Sequence, residues 1–249
     1  MKRSVFRIAL LAGALGARVF GSTIVAPNAN ATVVGNDTSG ALPTTGISGE
    51  VQILINPGQF AAGLQEITGF SFGRAEPGLG PISFAFTGNI DLSTSPNNAN
   101  SLPGHTLMST TFANNVGPDN TLVFSGSTTE TFAACSGPAP CPFANDIVFT
   151  TPFLYNPMNG ALLIDMQSTS FSATGGGEFD VIDCNPAANC VIDSVFATPA
   201  APTGMLNSGN NVVQVTYAAV TPEPSSILLA IAGLAGMGVY ARCRSRKPV

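Results

Sequence analysis

Hydrophobic and polar residues alternate along much of the chain between about Thr32 and Val220. The alternation is clearest at residues 51–55, 70–72, 82–86 and 213–217. Successive side chains of a β-strand point to opposite faces of a sheet, so this period of two predicts strands with one buried face and one exposed face. Further candidate strands lie at residues 105–112, 121–126, 127–132, 146–149, 162–166, 168–174, 178–183 and 191–197.

Turn-forming residues separate nearly all of these candidate strands. Asn56-Pro57-Gly58 and Gly175-Gly176-Gly177 are two examples, and no long amphipathic helix interrupts the pattern. Many short strands with frequent turns favour two packed sheets. The sequence therefore predicts an all-β fold, a single antiparallel β-sandwich or jelly roll over residues 32–220.

Residues 1–21 have the layout of a secretory signal peptide. Basic residues at the start are followed by an apolar segment, residues 8–17. Val19 and Gly21 occupy the small-residue positions of a cleavage site, and Ala31 offers a second site further from the apolar segment. The pattern predicts export, with cleavage after Gly21 or after Ala31.

The C-terminal segment also combines apolar and basic residues, but here the apolar segment comes first and the basic residues follow it. Pro222-Glu223-Pro224 precedes an apolar segment, residues 227–240. As a helix this segment would cover ~21 Å of a hydrocarbon core ~30 Å thick, so it is a marginal transmembrane span. Basic residues just after a span favour the cytoplasmic side and place the body outside. These basic residues are Arg242, Arg244, Arg246 and Lys247.

Residues 221–249 resemble the PEP-CTERM sorting signal of Gram-negative bacteria, which a membrane protease called exosortase processes. The resemblance implies that Pro222, Glu223 and Pro224 are the recognised motif. It also implies that the helix holds the precursor in the inner membrane and that the basic cluster stops transfer, with the C-terminus in the cytoplasm. The implied partners are exosortase and the membrane, and the implied location is the cell envelope, the cell surface or an exopolysaccharide matrix.

Charge is distributed unevenly along the chain. Between Arg18 and Arg242 the only basic residue is Arg74, whereas all fourteen carboxylates lie in that region, so its formal charge is 1 − 14 = −13. A body with one cation cannot neutralise a row of phosphates. Nucleic acid is therefore not a predicted partner.

Four cysteines occur as two pairs with the same C-x5-C spacing. In an exported chain such pairs predict disulfides. The Pro, Gly and Asn residues between the partners favour tight loops, whose ends can approach the ~5.5–6 Å that a disulfide needs between Cα atoms. Zinc is the alternative, but thiolate ligands need a reducing compartment and C-x2-C spacing is absent. The predicted local pairs are Cys135 with Cys141 and Cys184 with Cys190.

The sequence around the second pair predicts a hairpin, because Val181-Ile182-Asp183 is answered by Val191-Ile192-Asp193. Four carboxylates lie close together in sequence around it. They could form a glycosidase pair or a calcium site. The spacing argues against both, because no D-x-D-x-D loop is present and the acids alternate as solvated strand residues do. These carboxylates are Glu178, Asp180, Asp183 and Asp193.

Residues for other chemistry are scarce. The only histidine, His105, has no G-x-S-x-G motif beside it, and the body has no lysine. We therefore expect no catalytic residues, no cofactor and no metal. The hypothesis is a non-enzymatic structural or adhesive module. The alternatives are a lectin-like domain that binds exopolysaccharide and a secreted glycoside hydrolase.

Overall fold

Most of the strands that the alternation predicts are present in the computed structural model, which describes residues 21–36, 48–74, 81–99, 106–174, 181–183, 190–207 and 209–220. No α-helix occurs in these ranges. In chain order the strands are β1 (Ser22–Ala26), β2 (Gly49–Ile55), β3 (Gln65–Phe72), β4 (Ile82–Ser95), β5 (Asn97–Asn98), β6 (Thr106–Leu107), β7 (Thr121–Phe132), β8 (Ile147–Tyr155), β9 (Ala161–Thr174), β10 (Val181–Asp183), β11 (Ile192–Ala197), β12 (Met205–Asn207), β13 (Gly209–Asn211) and β14 (Val213–Ala219).

Two antiparallel sheets pack face to face. The four-stranded sheet has the order β1-β14-β3-β8, and the six-stranded sheet has the order β12-β11-β2-β9-β4-β7. Their inner faces share one hydrophobic core; Phe72 of β3 contacts Phe84 of β4, with ring centroids 5.7 Å apart. The predicted all-β sandwich is confirmed.

A smaller apolar cluster lies on the outer face of the six-stranded sheet. Leu54 of β2 and Leu163 of β9 are covered there by Met108 and Phe112 from the segment between β5 and β7. The strand predicted at residues 105–112 is therefore present only in part. Only Thr106–Leu107 forms a strand, and Phe112–Asn114 is a 3-10 helix, because this segment packs over the sheet instead of joining it.

In two places, two strands that were predicted separately form one continuous strand. Residues 121–126 and 127–132 form the single strand β7, which passes through Gly126 at φ 136°, a conformation that glycine adopts at little cost. Residues 162–166 and 168–174 likewise form the single strand β9. Glycine and hydroxyl residues in the middle of a long strand can therefore be mistaken for a turn.

The predicted hairpin between residues 181–183 and 191–193 is wrong. Strand β10 pairs with β13, whereas β11 pairs with β2 and β12. Ile192 and Val195 of β11 are buried, and β11 lies inside the six-stranded sheet between β12 and β2.

The first strand lies N-terminal to the predicted start of the domain at Thr32. β1 pairs with β14 over its whole length, from Ser22 opposite Tyr217 to Ala26 opposite Val213. The predicted signal peptide, except for Gly21, and the sorting tail at 221–249 lie outside the described residues. In the part of the chain that the structure describes, no helix is long and apolar enough to cross a membrane.

Candidate functional site

The outer face of the six-stranded sheet has one covered half and one open half. The covered half, on β2, β11 and the first part of β9, lies under the segment with Met108 and Phe112. The open half spans β7, β4 and the last part of β9, where polar side chains point outward because the residues between them fill the core. We call this open half the hydroxyl face: Ser83, Thr87, Asn89, Ser125, Ser127, Thr129, Thr131, Gln167, Ser170 and Ser172.

The register of the three strands arranges these side chains in rows. Ser127, Thr87 and Ser170 form one row across β7, β4 and β9. Within it the hydroxyl oxygens of Thr87 and Ser127 lie 2.8 Å apart in a hydrogen bond. The next row contains Asn89, whose Oδ1 accepts a hydrogen bond of 2.8 Å from the hydroxyl of Ser125. Cross-strand hydrogen bonds therefore orient part of the face.

The hydroxyl face is chemically uniform. Its side chains are neutral, and each hydroxyl or amide can both donate and accept hydrogen bonds. Ala85 is a small apolar residue among them. The next row contains Asp91 and the exposed Leu122, and it marks the boundary with the covered half. Such a surface suits a neutral, hydroxyl-bearing ligand better than an ionic or apolar one.

Carboxylates meet at the boundary between the two halves. Gln52, Asp165 and Asp91 lie side by side across β2, β9 and β4. Asp165 is buried, and its Oδ2 accepts a hydrogen bond of 3.0 Å from Nε2 of Gln52. The Glu50 carboxyl on β2 is close enough to the Asp165 carboxyl for their charges to interact. Two negative charges close together favour the protonated form of a carboxyl.

The pKa values of both carboxyl groups are raised. Burial, and then the charge of Asp165, raises the pKa of Glu50 to about 7. Burial and the charge of Asp91 raise the pKa of Asp165 to about 6, and the hydrogen bond from Gln52 opposes that rise. Both carboxyl groups therefore keep their protons to a higher pH than exposed carboxyl groups do.

A buried amide network holds this carboxyl pair from the covered side. Asn115 donates to Oε1 of Gln52 at 2.9 Å and to the carbonyl oxygen of Ser109 at 2.9 Å. Its own Oδ1 accepts from the Asn97 amide and from the Ser109 backbone, both at 2.8 Å. Asn115 therefore fixes Gln52, and through it Asp165, to the segment that covers the sheet.

The carboxyl pair is poorly placed for glycosidase chemistry. A glycosidase needs two carboxyl groups that reach the sugar on either side of the scissile bond, whereas Asp165 is buried and Glu50 is half-buried. Within the described ranges, no group of three potential ligands is close enough to hold a metal ion. The pair lies at the edge of the hydroxyl face, with Asp165 buried and Glu50 half-buried.

The candidate carboxylates from the sequence are only partly visible. Glu178 and Asp180 lie outside the described residues, as does His105. Asp183 is on β10 and Asp193 is on β11, in different sheets. Burial raises the pKa of Asp193 to about 6, and the Ser194 amide, which donates to Asp193 Oδ1 at 2.8 Å, opposes the rise.

Sequence reasoning missed both Glu50 and Asp165, although a signal was present. Gln52 and Asp165 interrupt the apolar runs Val51-Gln-Ile-Leu-Ile55 and Leu162-Leu-Ile-Asp-Met166. A polar residue inside a buried strand needs a hydrogen-bond partner, so two such interruptions indicate a contact between strands. Which strands meet could not be read from one sequence.

The paired cysteines and Arg74, the one basic residue between Arg18 and Arg242, lie as follows. Cys135 and Cys141 form a disulfide, with Cα atoms 5.7 Å apart. Cys190 is buried, while its predicted partner Cys184 lies outside the described residues. Arg74 is buried and donates from Nη1 to the carbonyl oxygen of Ala133 at 2.8 Å.

The chain resembles known proteins at its C-terminus. Residues 220–247 match the family model of the PEP-CTERM protein-sorting motif. No curated protein and no solved structure matches the chain. The matched motif implies an exported protein whose membrane-anchored precursor is sorted by exosortase at the cell envelope. The segment that contains Pro222, Glu223 and Pro224 is therefore a PEP-CTERM sorting signal.

Proposed function

We propose that this chain is a protein of the cell surface or extracellular matrix whose sandwich serves as a structural or adhesive module without catalytic activity. The sorting motif at residues 220–247 supports the location. The hydroxyl face is the observation that carries the adhesive role, because it presents neutral hydrogen-bonding groups on three adjacent strands.

The spacing of the face favours an extended ligand. Neighbouring strands lie about 4.8 Å apart, and residues two apart on one strand repeat at roughly 6.7 Å. Thr87, Ser127 and their neighbours therefore form a regular grid of donors and acceptors. A polymer with repeated polar groups can make many weak contacts with such a grid at once, and their combined strength is far greater than that of one contact.

A second candidate function is a lectin-like domain that binds exopolysaccharide. The chemistry of the hydroxyl face favours it, because sugar hydroxyls are neutral donors and acceptors like those of Thr87, Asn89 and Ser127. A secreted hydrolase has less support, because Asp165 is buried and Glu50 is half-buried, so the pair does not present two accessible carboxyl groups to a sugar.

A glycan-binding measurement tests both candidates. The mature protein is presented to a glycan array and to polysaccharide isolated from the producing cells, with and without calcium. Thr129→Val removes an exposed hydroxyl from the hydroxyl face, and Thr23→Val makes the same change on β1, in the other sheet.

The lectin-like function predicts calcium-independent binding that Thr129→Val weakens and Thr23→Val leaves unchanged. Equal binding by both variants would refute the hydroxyl face as the site. Release of free sugars from the polysaccharide would contradict a module without catalytic activity. Absence of glycan binding would contradict the lectin-like function and leave the structural role. The structural role predicts that a strain without this protein loses cell aggregation or matrix cohesion.

A further inference from the structure

Exposed aliphatic side chains surround the point where the C-terminal tail leaves the fold. Leu64 is 43% exposed, Leu154 is 57% exposed and Val220 is 38% exposed. We call these three residues the tail-exit patch. Aliphatic side chains scattered singly over a surface are ordinary, so what matters is whether these three are neighbours.

Strand register shows that they are neighbours. Glu66 of β3 lies opposite Leu154 of β8 on one side and opposite Ala218 of β14 on the other. Val220 follows β14, and its backbone amide donates to the carbonyl oxygen of Leu64 at 3.2 Å. The alternation of the strands turns these side chains outward, because Ile67 and Tyr155 fill the core. The patch thus covers the outer corner of the four-stranded sheet.

The length of the following chain limits the distance between this patch and the membrane. The apolar segment starts at Ile227, seven residues after Val220. Seven residues span at most ~25 Å when fully extended. When the apolar segment is in the bilayer, the patch is therefore held next to the lipid surface at a high effective concentration.

We propose that the tail-exit patch rests on the lipid surface while the precursor is anchored. The inference depends on the anchoring of the tail that the sorting motif implies. Leu64, Leu154 and Val220 would lose contact with water there, which is favourable for aliphatic groups at the interface. The hydroxyl face belongs to the other sheet, on the opposite side of the sandwich, so it would point away from the membrane.

The charge near the patch indicates which lipid suits it. Glu66 lies among the patch residues, and the described part of the chain has one cation, the buried Arg74. Anionic lipids attract polybasic segments, which this surface lacks. A zwitterionic surface is therefore the fitting partner.

The absence of tryptophan allows a direct test, because one introduced tryptophan is an unambiguous reporter. The full-length precursor is reconstituted into phosphatidylcholine vesicles with brominated acyl chains, which quench tryptophan on contact. Leu154→Trp and Leu64→Trp report on the patch. Thr129→Trp reports on the hydroxyl face, as a control at an exposed position. Far-UV circular dichroism identifies the variants that fold. Two reporters are placed in the patch so that the test can still be made if one of these variants does not fold.

Flotation with the vesicles checks the anchoring separately. The proposal predicts flotation of all variants, with quenching and a blue shift for the patch reporters and neither for Thr129→Trp. Flotation with equally unquenched reporters would overturn the contact while leaving the anchoring intact. Failure to float would overturn the anchoring and the proposal with it. Quenching that requires added exosortase would assign the patch to the protease instead.

Discussion

Ser22 lies directly opposite Tyr217 in the four-stranded sheet, so the first strand of the described chain pairs with the last. The strand β14 lies between β1 and β3 and ends at Ala219. The predicted cleavage site after Gly21 is therefore adjacent to the fold at one end, and Pro222 follows the last strand by three residues at the other. The predicted signal peptide and the sorting signal therefore directly flank the strands of the described fold.

This pairing predicts which signal-peptide site is used. Cleavage after Ala31 would remove β1 and with it Val25 and Ala26, which are buried. Cleavage after Gly21 leaves the strand intact. N-terminal sequencing of the mature protein should therefore begin at Ser22. A mature chain that begins at Thr32 would show that β1 is dispensable.

A glycine between β4 and β9 predicts a strong effect on stability. At the register shift next to Thr87, the carbonyl oxygen of Gln167 lies so close to Gly88 that an added Cβ would clash with it. Gly88→Ala should destabilise the fold by about 1–3 kcal/mol or more, because backbone must move.

The matched control for that variant is Gly58→Ala, where nothing lies within 4 Å of the new Cβ. Its effect should stay within about 0.5 kcal/mol, as for an ordinary surface change. Urea unfolding of both variants measures the difference. Equal stability would mean that β4 and β9 do not approach as closely as described.

The disulfide between Cys135 and Cys141 closes a short loop. Short loops restrict the unfolded chain only modestly, so removing the bond with Cys135→Ser and Cys141→Ser together should cost about 2–3 kcal/mol without preventing folding. Urea midpoints measure this cost. Non-reducing peptide mapping should also find Cys184 bonded to Cys190, and a bond from Cys135 to either of them would refute local pairing.

Glu130 predicts a stability that falls as the pH rises toward 9. Burial raises its pKa from 4.5 to about 9; the Phe72 amide opposes the shift and Asp146 adds to it. The fold therefore keeps a proton that the unfolded chain releases. The resulting stabilisation is complete below the unfolded pKa and falls by up to ~1.4 kcal/mol per pH unit until about pH 9.

The contribution of Glu130 can be isolated by comparing Glu130→Gln with the wild type between pH 7 and pH 9, because both proteins keep the titrations of Glu50 and Asp165, whose pKa values are about 7 and about 6. Glu130→Gln cannot ionise, so its unfolding free energy should fall much less than that of the wild type across this range. Glu66→Gln is the control and should behave like the wild type. Parallel curves for Glu130→Gln and the wild type would contradict the buried, protonated carboxyl.

The sequence predicted the sandwich because alternation is a local property. Val51, Ile53 and Ile55 fill the core as their spacing indicates. Pairing between distant strands could not be predicted in this way, because it depends on residues far apart in the sequence. The hairpin predicted between β10 and β11 was wrong for this reason. The short strand β1 was missed because it adjoins the predicted signal peptide and its residues are weakly patterned.

The hydroxyl face and the carboxyl pair illustrate the same limit. Ser and Thr on β4, β7 and β9 read individually as ordinary exposed strand positions. Only the register, which sets Thr87 between Ser127 and Ser170, makes them one surface. Glu50 and Asp165 are far apart in sequence and meet because β2 pairs with β9.

The sorting of the chain is tested most directly by the intact mass of the surface protein, in wild-type cells and in cells that carry Glu223→Ala. Exosortase processing predicts that the wild-type protein ends near Pro222-Glu223-Pro224 and lacks the basic cluster from Arg242 to Lys247. The variant should remain in the inner membrane as an unprocessed precursor. If both proteins retain Val249, the tail is a permanent anchor, and sorting to the surface or matrix by exosortase is contradicted.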